Sequence, residues 1–179
     1  GNPDSAVQLK PAWSGPPPAT APVEVVARAG VDLNPLDMAD PVVANRMIAY
    51  IWPDQHDRVQ RAEAAIATAR QFPPPVEQGD GADWLERRLV SPQPAGVTRI
   101  VYHSIALQYF PTEGQDRVRT AIAAAGARAT PERPFAWLSM EFHEQVTQAE
   151  LRLTVWPGDG SHHLLALTHP HGAHIEWIG

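Results

Sequence analysis

The stretch VTRIVYHSIALQYFPTEGQDRVRTAIAAAG (residues 97–126) decides the fold class, because a strand signal is followed directly by a helix signal. The apolar run IVY comes after turn residues and predicts a buried strand over residues 97–103. Thr112 and Gln115 have the spacing of a capping box, and apolar residues recur at helical intervals from there to Gly126. We therefore expect a strand, a polar loop and a helix, which is the repeating unit of an α/β sheet.

The same two signals alternate along the rest of the chain. Upstream, the pattern predicts a buried strand over residues 23–31, helices that begin at Asp40 and near Asp54, a short strand at Val76 and a helix after Asp80. Downstream, it predicts strands over residues 135–142, 149–156 and 163–168, a turn at residues 157–160, and a last segment, residues 173–178, that either extends the final strand or adds another. This order predicts a Rossmann-like α/β fold with a mostly parallel sheet and a C-terminal antiparallel hairpin.

Composition excludes several classes of function. There is no cysteine, so disulfides, thiolate metal sites and cysteine nucleophiles are excluded. The 14 basic and 20 acidic side chains give a net charge of −6, which argues against nucleic acid or an anionic membrane as the main partner. No apolar stretch reaches the roughly 20 residues that a membrane span needs, and no secretory signal is recognisable, so we expect a cytoplasmic protein.

Proline is used at about twice its ordinary frequency, with 19 in 179 residues. Six of these prolines lie in residues 1–22, which we expect to be an extended N-terminal segment followed by one α/β domain over residues 23–179.

Ligands of open α/β sheets bind beyond the carboxyl ends of the strands, and three polar loops meet this criterion: residues 32–37, 79–83 and 102–104. His103 follows a buried strand and is a candidate general base, with Tyr102 and Ser104 beside it. The alternative is a histidine that is merely hydrogen-bonded at a strand end. Asp32 and Asp80 are candidate ligand contacts, with a solvated loop residue and a helix cap as their respective alternatives.

Five of the eight histidines lie between His162 and His174, including His169 and His171, which alternation along a strand would place on one face. This pattern suggests a zinc or nickel site, but the turn residues between these histidines favour a polar hairpin edge instead. We predict no metal site.

Several uncommon strings resemble an uncharacterised bacterial family, domain of unknown function 2332, over nearly the whole chain. They are RAGVDLNPLD (28–37), YIWPDQ (50–55), GADWLERRL (81–89), VYHSIALQYF (101–110) and LTVWPG (153–158). That family carries no established activity, so the resemblance implies no reaction.

A more distant similarity is to class I S-adenosylmethionine-dependent methyltransferases. It implies that Asp32 contacts the ribose hydroxyls of the cofactor and that Asp80 lies near its adenine. It further implies that Tyr102 and His103 serve catalysis at the acceptor and that Ser104 lies on the cofactor side.

The similarity departs from the methyltransferase pattern at one essential place. The glycine-rich loop that follows the first strand of that fold has no counterpart among these residues. We therefore expect the C-terminal part of a methyltransferase-like domain that lacks the first strand. The chain by itself would be inactive or dependent on a partner and would bind the cofactor poorly or not at all, whereas an intact parent would use S-adenosylmethionine.

Two other functions remain open: a non-catalytic binding or structural domain, and a histidine-based metal-binding protein. The missing strand would leave an exposed edge of the sheet. We expect that edge to be filled by closure of the flanking strands, by pairing of residues 7–9, or by a second copy of the chain.

Overall fold

The computed structural model describes residues 4–142 and 148–179. The elements in chain order are β1 (Ala12–Ser14), β2 (Gly30–Asp32), α1 (Pro41–Ala49), α2 (His56–Gln71), β3 (Val76–Gln78), α3 (Gly81–Leu89), β4 (Arg99–Ser104), α4 (Thr112–Gly126), β5 (Phe135–Phe142), β6 (Ala149–Trp156), β7 (His163–Thr168) and β8 (His174–Trp177). These elements form two compact units. The first consists of Gly1–Leu9 and Val23–Asp80, and the second of Lys10–Pro22 and Gly81–Gly179.

The first unit contains α1, α2 and a two-stranded parallel sheet of β2 and β3. Helix α1 begins as predicted: Asp40 Oδ1 accepts the backbone N–H of Val42 at 2.8 Å, and Pro41 occupies the first turn, where it needs no backbone donor.

The predicted buried strand over residues 23–31 is wrong. Only its last two residues, Gly30 and Val31, enter β2, and the valines before them are exposed, with Val23 at 81%. A run of valines predicts burial only if another strand or a helix covers it. Here β2 is paired with the three-residue β3 over Gly30–Asp32 alone, and such a sheet is too small to cover the run.

The second unit is built on a six-stranded sheet with the order β1-β8-β7-β6-β5-β4. The predicted mostly parallel sheet is wrong, because β5–β6, β6–β7 and β7–β8 are antiparallel and only β1–β8 and β4–β5 are parallel. The physical reason lies in the connections: residues 157–162 and 169–173 are too few for the crossover that a parallel pair needs. The fold is a mixed α/β fold, and the predicted C-terminal hairpin β6–β7 is present.

Helices α3 and α4 supply the hydrophobic core of the second unit together with the sheet. The core residues are Ala82, Leu85, Leu89, Leu107, Val118, Ile122 and Phe135. Helix α4 has the predicted bounds, but the predicted capping box is absent: Thr112 is its first residue, and Gln115 Nε2 donates to the carbonyl of Phe110 at 3.0 Å. Gly126 ends the helix against Trp156, whose ring would lie only 2.4 Å from a Cβ, so a side chain would not fit there.

The N-terminal segment adds a strand to the sheet, but not with the predicted residues 7–9, and it pairs with β8 at the end of the sheet opposite β4. Ala12–Ser14 pairs in parallel with β8, and residues 7–9 form no strand. Trp13 stacks on Trp177 with ring centroids 5.8 Å apart. Residues 1–3 of this segment lie outside the described residues. At the other end of the sheet, β4 is the terminal strand, with Ile100 and Tyr102 exposed.

Candidate polar site at the carboxyl end of β4 and β5

Strand β4 places the three predicted residues of its polar end on two different faces. Burial alternates along Arg99–Ser104, so that His103 is half-buried while Tyr102 and Ser104 are exposed. Successive side chains of a strand point to opposite faces. The structure therefore brings Tyr102 and Ser104 to one face of the sheet and His103 to the other.

Both ring nitrogens of His103 have hydrogen-bond partners. Nδ1 lies 2.7 Å from Glu141 Oε1, and Nε2 accepts the indole N–H of Trp137 at 3.0 Å. An indole nitrogen only donates, so Nε2 must carry a lone pair and the proton must sit on Nδ1. These two hydrogen bonds therefore favour the Nδ1–H tautomer of His103.

Glu141 also bonds the backbone of the loop that follows β4. Its Oε1 atom also accepts the backbone N–H groups of Ala106 and Leu107, at 3.0 and 2.9 Å. Burial is the largest influence on the pKa of Glu141 and raises it, but the hydrogen bonds from His103, Ala106 and Leu107 outweigh burial and hold the pKa below its usual value. The carboxylate is therefore ionised at neutral pH.

The loop that Glu141 holds contains a strained residue. Ile105 has a φ of +49°, a left-handed conformation that is unfavourable for a β-branched side chain. Its N–H donates to the carbonyl of Met140 at 2.7 Å, next to the two N–H groups that Glu141 accepts. Backbone strain of this kind persists only where its surroundings fix it, and it is concentrated at functional sites.

His162 completes the network from the turn between β6 and β7. Its ring stacks on Trp137 with centroids 4.7 Å apart. Nδ1 lies 2.8 Å from Thr154 Oγ1, and Nε2 lies 3.3 Å from Ser139 Oγ. Burial, followed by the charge of Arg152, lowers the pKa of His162, so its ring is neutral at pH 7.

His163 of the predicted cluster begins β7, while His169, His171 and His174 lie at or beside the turn between β7 and β8. The rings of His171 and His174 lie 5.6 and 5.5 Å from that of His169, but His169 Nδ1 already accepts the backbone N–H of His171 at 3.1 Å. His174 Nε2 lies 3.0 Å from Gln148 Nε2. Within the part of the chain that the structure describes, no three histidine or acidic side chains are arranged to hold a metal ion.

The predicted cofactor residues of the first unit lie together at the end of the parallel pair β2–β3. The N–H of Gly79 donates to the carbonyl of Asp32 at 3.0 Å, so Asp80 follows directly beside Asp32 in the neighbouring loop. Asp32 is exposed, and its Oδ1 accepts the N–H of Asn34 at 2.8 Å in an Asx turn. Gln78 Nε2 ties the two loops by donating to the carbonyl of Leu33 at 3.1 Å.

A groove of about 600 Å³ lies elsewhere in the second unit, lined by residues of α3 and α4 that include Glu86, Glu113 and Asp116. It is wide open, and the cation in it, Arg117, already bonds Asp83 and Glu86 at 2.6 Å each. We place the candidate site at the β4–β5 end because its polar groups are more enclosed and more tightly organised.

Sequence reasoning missed Trp137, Glu141 and His162 as parts of this site. Alternation along the predicted strand 135–142 was a usable signal, since it puts Trp137 and Glu141 on one face with Glu141 near the carboxyl end. The pairing of that strand with β4, which brings Glu141 to His103, is a long-range property that alternation does not contain.

Comparison with known proteins assigns the chain to a family. The profile of a family described as "Uncharacterized protein conserved in bacteria (DUF2332)" matches residues 1–177. The chain belongs to this family. No curated protein and no solved structure is significantly similar to it. Across residues 4–142 and 148–179, the DUF2332 chain has no helix that is both long enough and apolar enough to cross a membrane.

Proposed function

We propose that the first unit carries the nucleoside-binding edge of a class I methyltransferase-like domain. Asp32 would bond the ribose hydroxyls of S-adenosylmethionine, and Asp80 would lie near the adenine. The observation that carries this proposal is the parallel pairing of β2 and β3, which sets the loops of Asp32 and Gly79 side by side at the carboxyl ends of their strands. Ligands of α/β sheets bind at such ends.

The chemistry of such a domain would be transfer of the methyl group from the sulfonium of the cofactor to an acceptor atom. The products would be S-adenosylhomocysteine and a methylated acceptor, and the acceptor's proton would pass to a base. The similarity assigns the acceptor side to Tyr102 and His103, and Ser104 to the cofactor. Because Tyr102 lies on the opposite face of β4 from His103, the proposal keeps His103 alone as the base. His103 could take the proton at Nε2 only after the indole of Trp137 had released that atom.

The test is a titration of the 179-residue chain with S-adenosylhomocysteine, followed by amide NMR shifts. Because no glycine-rich loop accompanies the strands, we expect weak affinity, roughly millimolar, with shifts at Asp32, Asn34, Gly79 and Asp80. Asp32→Asn retains the acceptor of the Asx turn but removes the charge, and we expect it to weaken binding about tenfold.

Asp37→Asn is the matched control, because Asp37 makes the same kind of turn by accepting the N–H of Ala39 at 2.8 Å in the same loop. It should bind like the wild type. Shifts that avoid the β2–β3 edge, or an Asp32→Asn variant that binds as well as the wild type, would refute the proposal.

A non-catalytic binding or structural domain is the second candidate. It is favoured because both ring nitrogens of His103 already have hydrogen-bond partners. If His103 is structural, His103→Asn should lower the unfolding midpoint. Any turnover of the protein should then fall only in proportion to the folded fraction. If His103 is the base, turnover should fall by about 100-fold or more in protein that is still folded.

A further inference from the structure

Two buried side-chain polar atoms lack a hydrogen-bond partner in the described part of the chain, Trp84 Nε1 and Glu141 Oε2. An unsatisfied polar atom on an ionised group is the more costly of the two and requires an explanation. We propose that Glu141 anchors a ligand site in the second unit, where Oε2 accepts a hydrogen bond from the primary ammonium group of a small molecule. This inference is independent of the nucleoside site, which lies in the first unit.

The hydrogen bonds of Glu141 explain why Oε2 still needs a donor. Three N–H donors converge on Oε1, from His103, Ala106 and Leu107. The indole of Trp137 bonds Nε2 of His103, so His103 bonds Glu141 through Nδ1. Among the described residues no lysine or arginine pairs with Glu141, and Oε2 is left without a donor.

The nearby arginine does not cancel the negative charge of Glu141. Glu150 is the direct partner of Glu141 across the β5–β6 pair. Arg152 Nε bonds Glu150 Oε2 at 2.7 Å, so this cation is already paired with Glu150. The Glu141 and Glu150 side chains are only 18% and 13% exposed, so solvent screens them poorly. A cation bound at Oε2 would balance the charge of Glu141.

The enclosure of Oε2 selects the kind of cation. The atom is buried, so the ligand group must be compact and side chains must move to admit it. An ammonium group is compact and brings three N–H donors, whereas a guanidinium group needs a planar, two-pronged acceptor.

The loop that begins at Ile105 contains backbone amides whose NMR shifts should report binding at Glu141. The amides of Ala106 and Leu107 bond the same carboxylate that would receive the ligand, and the Trp137 indole reaches it through His103. A cation at Oε2 draws electron density from Oε1 and so weakens the bonds to both amides. Binding should therefore change their NMR shifts.

The experiment is an amide and indole NMR titration of the 179-residue chain with methylammonium chloride at pH 7. We expect saturable shifts of the Ala106 and Leu107 amides and of the Trp137 indole. Tetramethylammonium chloride has the same charge but no N–H donor, and it should produce no saturable shift at these groups.

Two variants localise the effect. Glu141→Gln keeps an oxygen for the three N–H donors but loses the charge, and we expect its affinity for methylammonium to fall at least about tenfold. Glu150→Gln is the matched control, and its affinity should change by less than about threefold because the charge of Glu150 is already paired with Arg152.

Three results would overturn the proposal. They are the absence of saturable shifts in the wild type, equal responses to methylammonium and tetramethylammonium, and a Glu141→Gln variant that titrates like the wild type. The comparison of the two probes uses only the wild-type chain, so it decides the matter even if Glu141→Gln folds poorly. None of these results bears on the binding of S-adenosylhomocysteine at Asp32.

Discussion

The two polar edges of the DUF2332 chain are built in different ways. At the β2–β3 edge, Asp32 is exposed and its carboxylate bonds a backbone group two residues away. At the β4–β5 edge, His103 is half-buried and bonds Trp137 and Glu141, which lie 34 and 38 residues away in sequence. The Asp32 side chain is thus held by a local turn and is open to a ligand. The His103 side chain is held by tertiary contacts, so changing it or its partners should alter both stability and binding.

The largest effect should come from Glu141→Ala. The substitution leaves the N–H groups of His103, Ala106 and Leu107 without their acceptor, and each such loss is unfavourable in a half-buried setting. We expect the free energy of unfolding of the second unit to fall by about 3 kcal/mol, measured by urea denaturation followed through tryptophan fluorescence.

Glu141→Gln is the control for that result, because the amide oxygen still accepts. It should reduce the free energy of unfolding by about 1 kcal/mol. Equal losses in the two variants would mean that the charge, and not the hydrogen-bond acceptor, organises this edge.

A smaller effect should appear in the pH dependence of stability, through His162. Its pKa in the folded chain is lowered by burial and by Arg152, so below about pH 6.5 the unfolded chain takes up the proton first. Stability from this group is therefore complete above pH 6.5 and declines as the pH falls towards the lowered pKa, by at most about 1.4 kcal/mol per pH unit.

His162→Gln should flatten the stability profile between pH 6.5 and 5, as measured by urea denaturation at each pH. His163 follows it in sequence but is exposed, so His163→Gln is the matched control and should leave the slope unchanged. A wild-type profile that is already flat over this interval would contradict the burial of a neutral His162.

The smallest effect should come from Asp32→Ala. It removes one exposed hydrogen bond, to the N–H of Asn34, and we expect the free energy of unfolding to change by less than about 0.5 kcal/mol. Urea denaturation of both variants would compare this change with that caused by Glu141→Ala. A loss of 2 kcal/mol or more at Asp32 would remove the contrast between the two edges.

Sequence patterns located most of the second unit well. The bounds of α4, β5, β6 and β7 are confirmed, because periodicity and turn residues are local and each of these elements has a clear apolar face. The strand predicted from the valines before Gly30 is wrong for the opposite reason. The pattern is local, but burial of these valines depends on a neighbouring element that the pattern does not specify.

The candidate site was predictable only in part. Local pattern indicated His103 as a half-buried residue at the end of a strand, and its catalytic role remains a prediction. The same pattern grouped Tyr102 and Ser104 with His103, although alternation separates them. Glu141 and Trp137 enter the site through the register of β4 with β5, where His103 is paired with Ser139, and pairing across that distance in sequence cannot be read from either strand alone.

The central claim is that Glu141 holds His103 as a neutral Nδ1–H imidazole while the carboxylate keeps an unbalanced charge. Long-range ¹H–¹⁵N NMR of the histidine rings at pH 7 tests this claim most directly. We predict a protonated Nδ1 and an unprotonated Nε2 for His103, with its Nδ1 signal altered in Glu141→Gln. An Nε2–H tautomer, or a doubly protonated ring that would itself balance Glu141, would contradict the account.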